Sequence, residues 1–191
     1  MKTKTILGLI LAIAVVFSVS AQDRSEEAEN FRKIGLAALS RKDYDAAIIA
    51  YTGALRVDPT YGLVYMQRGD AYRGKGWYEL SITDYNEAIK YLVGSVHLPL
   101  AFNGLGLTYY NMGDYDRAIA SFNEAIRVGP LWRGFYINRI RACIQKGNFT
   151  QARSDVNTLL ARDPYDGSDH FAGSFLQEAQ VLDAELRRRG Y

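Results

Sequence analysis

Apolar residues return along this chain at intervals of three and four. Tyr44, Ile48, Tyr51 and Leu55 step by four, three and four, which sets them on one face of an α-helix. Short segments of this kind follow one another from residue 28 to residue 166. Lys42-Asp43, Gly76-Trp77, Gly113-Asp114 and Gly147-Asn148 break them into pairs. Asp58-Pro59 and Asp163-Pro164 end second helices, because proline cannot continue a helix and disfavours it in the residue before. The pattern predicts helical hairpins and no strands.

The hairpins repeat. Leu105–Pro130 nearly restates Ile34–Pro59. A register of 34 residues gives copies 28–61, 62–95, 99–132 and 133–166, with Val96-His97-Leu98 inserted before the third. The fourth position holds Phe31, Tyr65, Phe102 and Tyr136; the eighth Gly35, Gly69, Gly106 and Ile140. The seventeenth holds Tyr44, Tyr78, Tyr115 and Phe149, the twentieth Ala47, Ser81, Ala118 and Ala152, and the twenty-fourth Tyr51, Tyr85, Phe122 and Val156. Small residues at eight and twenty let paired helices approach, and aromatics at the other positions fill the space between them and toward the next copy. Copy four departs most. Ile140 and Leu159 replace small residues, and Arg153 stands where Ile48, Ile82 and Ile119 stood, so less regular packing is expected there. The insertion is expected to affect the joint between copies two and three.

This pattern resembles the tetratricopeptide repeat (TPR) family over about 139 of the 191 residues. The resemblance implies an all-α, right-handed superhelix of about four helix-turn-helix hairpins in a single domain over residues 22–191. Phe175, Ala179, Leu182 and Leu186 form one stripe of a last helix, about 174–189, with Ser174 and Gln177 as a capping box. It reads as the polar-backed cap that an array of repeats needs at its end.

Lys2 and Lys4, the uncharged apolar run 6–19 and the small residues before Gln22 read as a signal peptide cut after Ala21, with an uncleaved anchor as the alternative. The run falls short of the roughly 20 residues that span a bilayer. Removing residues 1–21 takes the formal charge from +2 to zero, which argues against a nucleic-acid partner. One cysteine, Cys143, allows no internal disulfide and reads as a small buried apolar residue. The chain is therefore expected to be exported, periplasmic or membrane-associated in a bacterial envelope, touching a membrane only through residues 1–21 if these stay attached.

No catalytic constellation emerges. His97 and His170 lack metal-ligand spacing, and Asp163, Asp166 and Asp169 do not have that of a calcium loop. Asp43, Asp45, Asp114 and Asp116 sit where they favour the positive starts of second helices. Neither an enzyme, a cofactor nor a metal is expected.

The family resemblance implies instead a groove lined by first helices. Its second, fifth, sixth, ninth and twelfth register positions give Arg32, Leu36, Met66, Gln67, Asp70, Arg73, Asn103, Leu107, Tyr110, Asn138 and Arg141 as candidates, beside Glu29, Lys33, Leu39, Leu63, Leu100, Gly104, Gly134, Ile137 and Ile144. Leu36, Met66, Leu107 and Ile137 read as an apolar floor. Asparagine can donate to and accept from a peptide backbone, and arginine can hold a carboxylate with two bonds. An extended peptide carrying an acidic group is the sharper expectation. Family members that hold a chaperone's C-terminal carboxylate use asparagines where this chain has Leu36 and Gln67, so that activity is not expected. Trp77 is a further candidate, as an anchor on the rim. The readings are an adaptor of the cell envelope that binds a protein or peptide, a structural subunit of a transport, secretion or outer-membrane assembly complex bound through its convex face or ends, and a transporter-associated small-ligand binder. A homo-oligomer remains compatible with each.

Overall fold

The computed structural model describes residues 22–161 and 172–191. The signal-peptide or anchor reading of residues 1–21, the helix stop at Asp163-Pro164, and Asp166, Asp169 and His170 lie outside them, as does the side chain of Ser174. The described residues form helices and no strands: α1 (residues 22–40), α2 (Tyr44–Val57), α3 (Gly62–Gly74), α4 (Tyr78–Tyr91), α5 (Leu98–Asn111), α6 (Tyr115–Val128), α7 (Arg133–Lys146), α8 (Phe149–Leu160) and α9 (Ala172–Arg188).

Local chemistry explains where the hairpins turn. Lys42, Gly76, Gly113 and Gly147 all take positive φ, between 59° and 83°. The residue that follows then starts the next helix. Asp43, Asp114 and Asn148 each accept a bond from the backbone N–H three residues on, while Trp77 caps α4 with no side-chain bond. Such caps stabilise a helix by about 1 kcal/mol each. Pro99 sits in the first turn of α5, where its missing N–H costs nothing. The inserted residues are absorbed ahead of and at the start of that helix.

Packing follows the register. The ring at position twenty-four lies flat over the glycine at position eight of its own hairpin. A Cβ on Gly35 would come within 2.5 Å of Tyr51, and one on Gly106 within 2.5 Å of Phe122. Tyr85 lies over Gly69 and also over Gly104 of the next copy, so one ring ties two repeats together. Position twenty is fully buried in every copy. Ser81 uses that place to donate to Gly69 O at 2.9 Å, and its hydroxyl lies 3.0 Å from that of Thr108 in copy three.

Copy four packs by a different arrangement from the other three. Ile140 and Val156 divide between them the volume that an aromatic ring over glycine takes elsewhere, and both are fully buried. They share a core with Leu159 and with Ala179, Leu182 and Leu186 of α9, against which Phe175 also packs. Arg153 is not a misplaced isoleucine: it bonds Asp183 of α9 and the carbonyl of Tyr191. Its charge fastens the last helix.

A second, longer period lies over the first. Arg68 holds Asp84 through Nε and Nη2 at 2.7 and 2.8 Å, and its Nη1 reaches Thr52 of the preceding copy at 3.0 Å. Arg139 holds Asp155 through the same two nitrogens at 2.8 and 2.6 Å, and reaches Asn123 at 2.6 Å. Lys75 pairs with Asp45 and Lys146 with Asp116. All these contacts recur 71 residues apart. At the places of the two arginines and their aspartates, copies one and three carry Ile34 with Ala50 and Leu105 with Ser121. The array is built of two doublets.

Candidate functional site

First helices touch one another along the array: α3 meets α5, α5 meets α7 and α7 meets α9. Among the described residues no second helix touches another second helix. The first helices therefore lie on the inner, tighter side of the curve, and their outward faces line a groove.

At the start of that groove Arg32 donates from Nε and Nη2 to the two carboxylate oxygens of Glu29, each at 2.7 Å, and the Tyr61 hydroxyl donates to Glu29 at 2.7 Å. The two bonds from Arg32, and then that of Tyr61, pull the Glu29 carboxyl down to about 2. Lys33 and Leu36 stand exposed beside them. In copy two, Arg73 donates to Asp70 at 2.5 Å, and the Tyr85 hydroxyl donates to the same oxygen at 2.7 Å. Desolvation, reinforced by Asp70, raises the Tyr85 phenol well above its ordinary value. In copies three and four, Asn138 donates to Asn103 at 2.9 Å across α5 and α7. Tyr110 stands edge-on to Tyr115, 5.6 Å between centroids, and Leu107 packs half-buried against the core beside it. Arg141 pairs with Glu178 of α9.

Two expectations need correction. The groove arginines do not stand open for a ligand carboxylate, because Glu29, Asp70 and Glu178 already hold them. The apolar floor is also shorter than the register suggests. Ile137 and Ile144 are buried at 2% and 6% under α9, and Gly104 is buried beneath the Tyr85 ring. Leu36, Met66 and Leu107 keep partial exposure.

The unfinished chemistry lies between copies one and two. Tyr51 Oη, Gln67 Oε1 and Arg73 Nε are buried atoms without a hydrogen-bond partner. The Tyr51 ring is fully buried; burial first, then Asp70, pushes its hydroxyl up to about 12. The cause is local. Position nine supplies Asp70 to Tyr85 in copy two, and supplies only Leu36 to Tyr51 in copy one. Register reasoning treated Tyr51 and Tyr85 as packing groups and missed this. The signal was the hydroxyl, since Phe122 fills the same place without one.

Trp77, on the opposite rim, is 45% exposed, with Lys75 Nζ 4.0 Å from its ring centroid. Cys143 is fully buried, and desolvation pushes its thiol up to about 11. No group of three or more His, Cys, Asp or Glu able to hold a metal occurs among the described residues.

Stacked helical hairpins with a polar-walled inner groove define an all-α superhelical repeat scaffold. Family models described as tetratricopeptide repeat match residues 103–167, and residues 33–61 and 63–91. The chain belongs to the tetratricopeptide repeat family. It is 29% identical over 104 residues to the small glutamine-rich tetratricopeptide repeat-containing protein 2 of Mycosarcoma maydis, a match covering 54% of this chain and 29% of that protein. It is 28% identical over 102 residues to heat shock protein STI1 of Saccharomyces cerevisiae, covering 53% of this chain and 17% of that one. The match thus spans less than a third of either relative. Among solved structures, one of MamA superposes with a TM-score of 0.63 at 17% identity, covering 86% of this chain and 96% of that one. The TPR2B domain of yeast Sti1 in complex with pHsp70 superposes at 0.57 with 21% identity, covering 63% and 98%. These likenesses concern the fold.

Proposed function

We propose that this protein is a non-enzymatic adaptor that holds an extended protein segment in the groove of copies one to three. The observation that carries the reading is the set of unpartnered polar atoms there, Tyr51 Oη, Gln67 Oε1 and Arg73 Nε. Leaving such groups buried and unpaired costs about 1–3 kcal/mol each, so the half-buried side chains of Gln67 and Arg73 gain that much on turning outward to an occupant that completes them. Gln67 Oε1 needs a donor, whereas Arg73 Nε needs an acceptor. A main-chain amide carries both, at a fixed spacing. With the guanidinium charges already balanced by Glu29, Asp70 and Glu178, backbone recognition fits the groove better than recognition of an acidic side chain. The Sti1 TPR2B domain, solved with pHsp70, supports an occupant of peptide type. The sequence of residues 1–21 supports export to the cell envelope.

Binding of the full chain to an immobilised array of 15-residue peptides tests the reading. Gln67→Leu combined with Asn103→Ala is expected to lower capture about tenfold, the equivalent of roughly one hydrogen bond. Undiminished capture by that variant overturns the groove assignment.

A further inference from the structure

The hairpin turn of copy two departs from its sisters at several places at once. In copy three, Gly113, Asp114, Asp116 and Arg117 line a depression at the turn, together with Lys146 of copy four. Two ion pairs form there, Arg117 with Asp114 and Lys146 with Asp116. The same register positions in copy two hold Gly76, Trp77, Glu79 and Leu80, and these also line a depression. Met112 of copy three stands at the place of Lys146.

The exchanges differ in kind. Trp77 and Leu80 replace both members of the Asp114–Arg117 pair, so no charge is left over. Met112 replaces only the cation of the other pair. Glu79 keeps its carboxylate, and among the described residues no cation pairs with it. At both other joints the acid of this position has a lysine, Lys75 for Asp45 and Lys146 for Asp116. The lysine of Glu79's own turn, Lys75, is committed to Asp45 and to the indole, with Nζ 4.0 Å from the Trp77 ring centroid.

The apolar newcomers face solvent. Trp77, Leu80 and Met112 are all exposed, Leu80 at 47%. Tyr72 backs the indole with ring centroids 6.1 Å apart, which holds the ring in place. Trp77 also gives up the side-chain cap that Asp43, Asp114 and Asn148 make for their helices. The turn thus carries an indole and a leucine beside one unbalanced carboxylate. A purely apolar partner would desolvate Glu79 and leave it unpaired, at a cost. A lysine or arginine side chain meets both demands: its methylene stem covers apolar side chains while its head reaches a carboxylate and a ring. The chain makes the carboxylate half of that contact with itself at the two sister joints.

We propose that the turn of copy two is a docking point for a partner protein presenting a lysine or arginine flanked by apolar residues, with the cation on Glu79 and the apolar flank on Trp77 and Leu80. The site is built from a turn and the start of a second helix, whereas the groove is lined by first helices, so the two bind independently.

Trp132→Phe leaves Trp77 as the only indole in the chain, and its emission reports the site. Four short peptides are titrated onto this protein, each a glycine–serine chain with Leu-Lys-Leu, Leu-Arg-Leu, Leu-Gln-Leu or Leu-Glu-Leu at its centre. The lysine and arginine peptides are expected to shift Trp77 emission at about tenfold lower concentration than the glutamine peptide. Glu79→Gln should abolish that preference. Met112→Lys should abolish it too, because it restores the pair of the sister joints and fills the site from within. Glu79 and Met112 are exposed, so these variants keep the core. Gln67→Leu with Asn103→Ala, which tests the groove, should leave the preference unchanged. Emission unmoved by all four peptides, equal response to lysine and glutamine, or a preference that survives Glu79→Gln or Met112→Lys overturns the proposal. So does loss of the preference in the groove variant, which would place the basic residue in the groove. A shift of Trp77 emission that rises with protein concentration in the absence of peptide also overturns it, and would assign the turn to a second copy of the chain.

Discussion

Removing the charge of Arg139 gives the sharpest test of how the doublets are held. Its side chain is 14% exposed and that of Asp155 3%. Arg139→Leu deletes both bonds to Asp155 and the bond to Asn123. Asp155 is left with one neutral donor, Gln151 Nε2 at 3.0 Å. Breaking a buried pair from one side costs about 3–5 kcal/mol, because the remaining charge stays desolvated. The protein supplies its own comparison. Copy three places Leu105 and Ser121 at these positions, and the Ser121 hydroxyl donates to Arg117 O at 2.8 Å, four residues back. Arg139→Leu with Asp155→Ser copies that solution and leaves no buried charge and no unpaired hydroxyl. Its cost should stay within about 1 kcal/mol of the parent, since an apolar replacement of a buried ion pair is often neutral. Urea unfolding followed by circular dichroism at pH 7.5 measures both. A single variant costing under about 1 kcal/mol, or a double variant as unstable as the single, would refute the reasoning.

Two other perturbations follow from the turns and the groove. Lys42 takes φ 59° where the other hairpins place glycine, so Lys42→Gly should stabilise the chain by about 0.5–1 kcal/mol, read as a raised midpoint in the same urea experiment. Glu29 has a folded pKa of about 2 against an ordinary 4.5. A lowered carboxyl contributes stability above its unfolded value and loses it as pH falls through the folded one. Glu29→Gln should therefore be the less stable protein at pH 7, and the difference should shrink below about pH 4.5 and vanish near pH 2; a gap constant with pH counts against the pairing.

The sequence made the hairpins legible because their signals are local. A positive-φ residue followed by a capping side chain recurs at three turns, and glycine facing an aromatic recurs in three copies. The α9 stripe was equally clear, since Ala179, Leu182 and Leu186 repeat at helical spacing. The doublets were not. Arg68 and Asp84 stand 16 residues apart, and a 34-residue register reads their position as Ile34, Arg68, Leu105 and Arg139, which looks like no pattern. The groove was half legible. Its positions follow from the register, but Glu29, Asp70 and Glu178 could equally have pointed to solvent, and only the packed helices decide that they take up the arginines. Ile137 was misjudged because a register position says nothing about which later helix will cover it.

The two kinds of joint have different sensitivities to the medium. Between copies one and two, and between three and four, lysine–aspartate pairs at the surface add to the arginine clamps; Asp45 and Asp116 have side chains 73% and 75% exposed. Between copies two and three the contacts include the Ser81–Thr108 hydroxyls, the Tyr85 ring and the apolar packing of Ala88 and Leu92 on Ala101, with no counterpart of either pair: Met112 and Glu79 stand at the places of the lysine and the aspartate. Added salt screens surface pairs and leaves a buried ring or hydroxyl nearly untouched. Ionic strength thus loosens the outer joints relative to the central one, and the place where the array bends most readily becomes a property of the solution as well as of the chain.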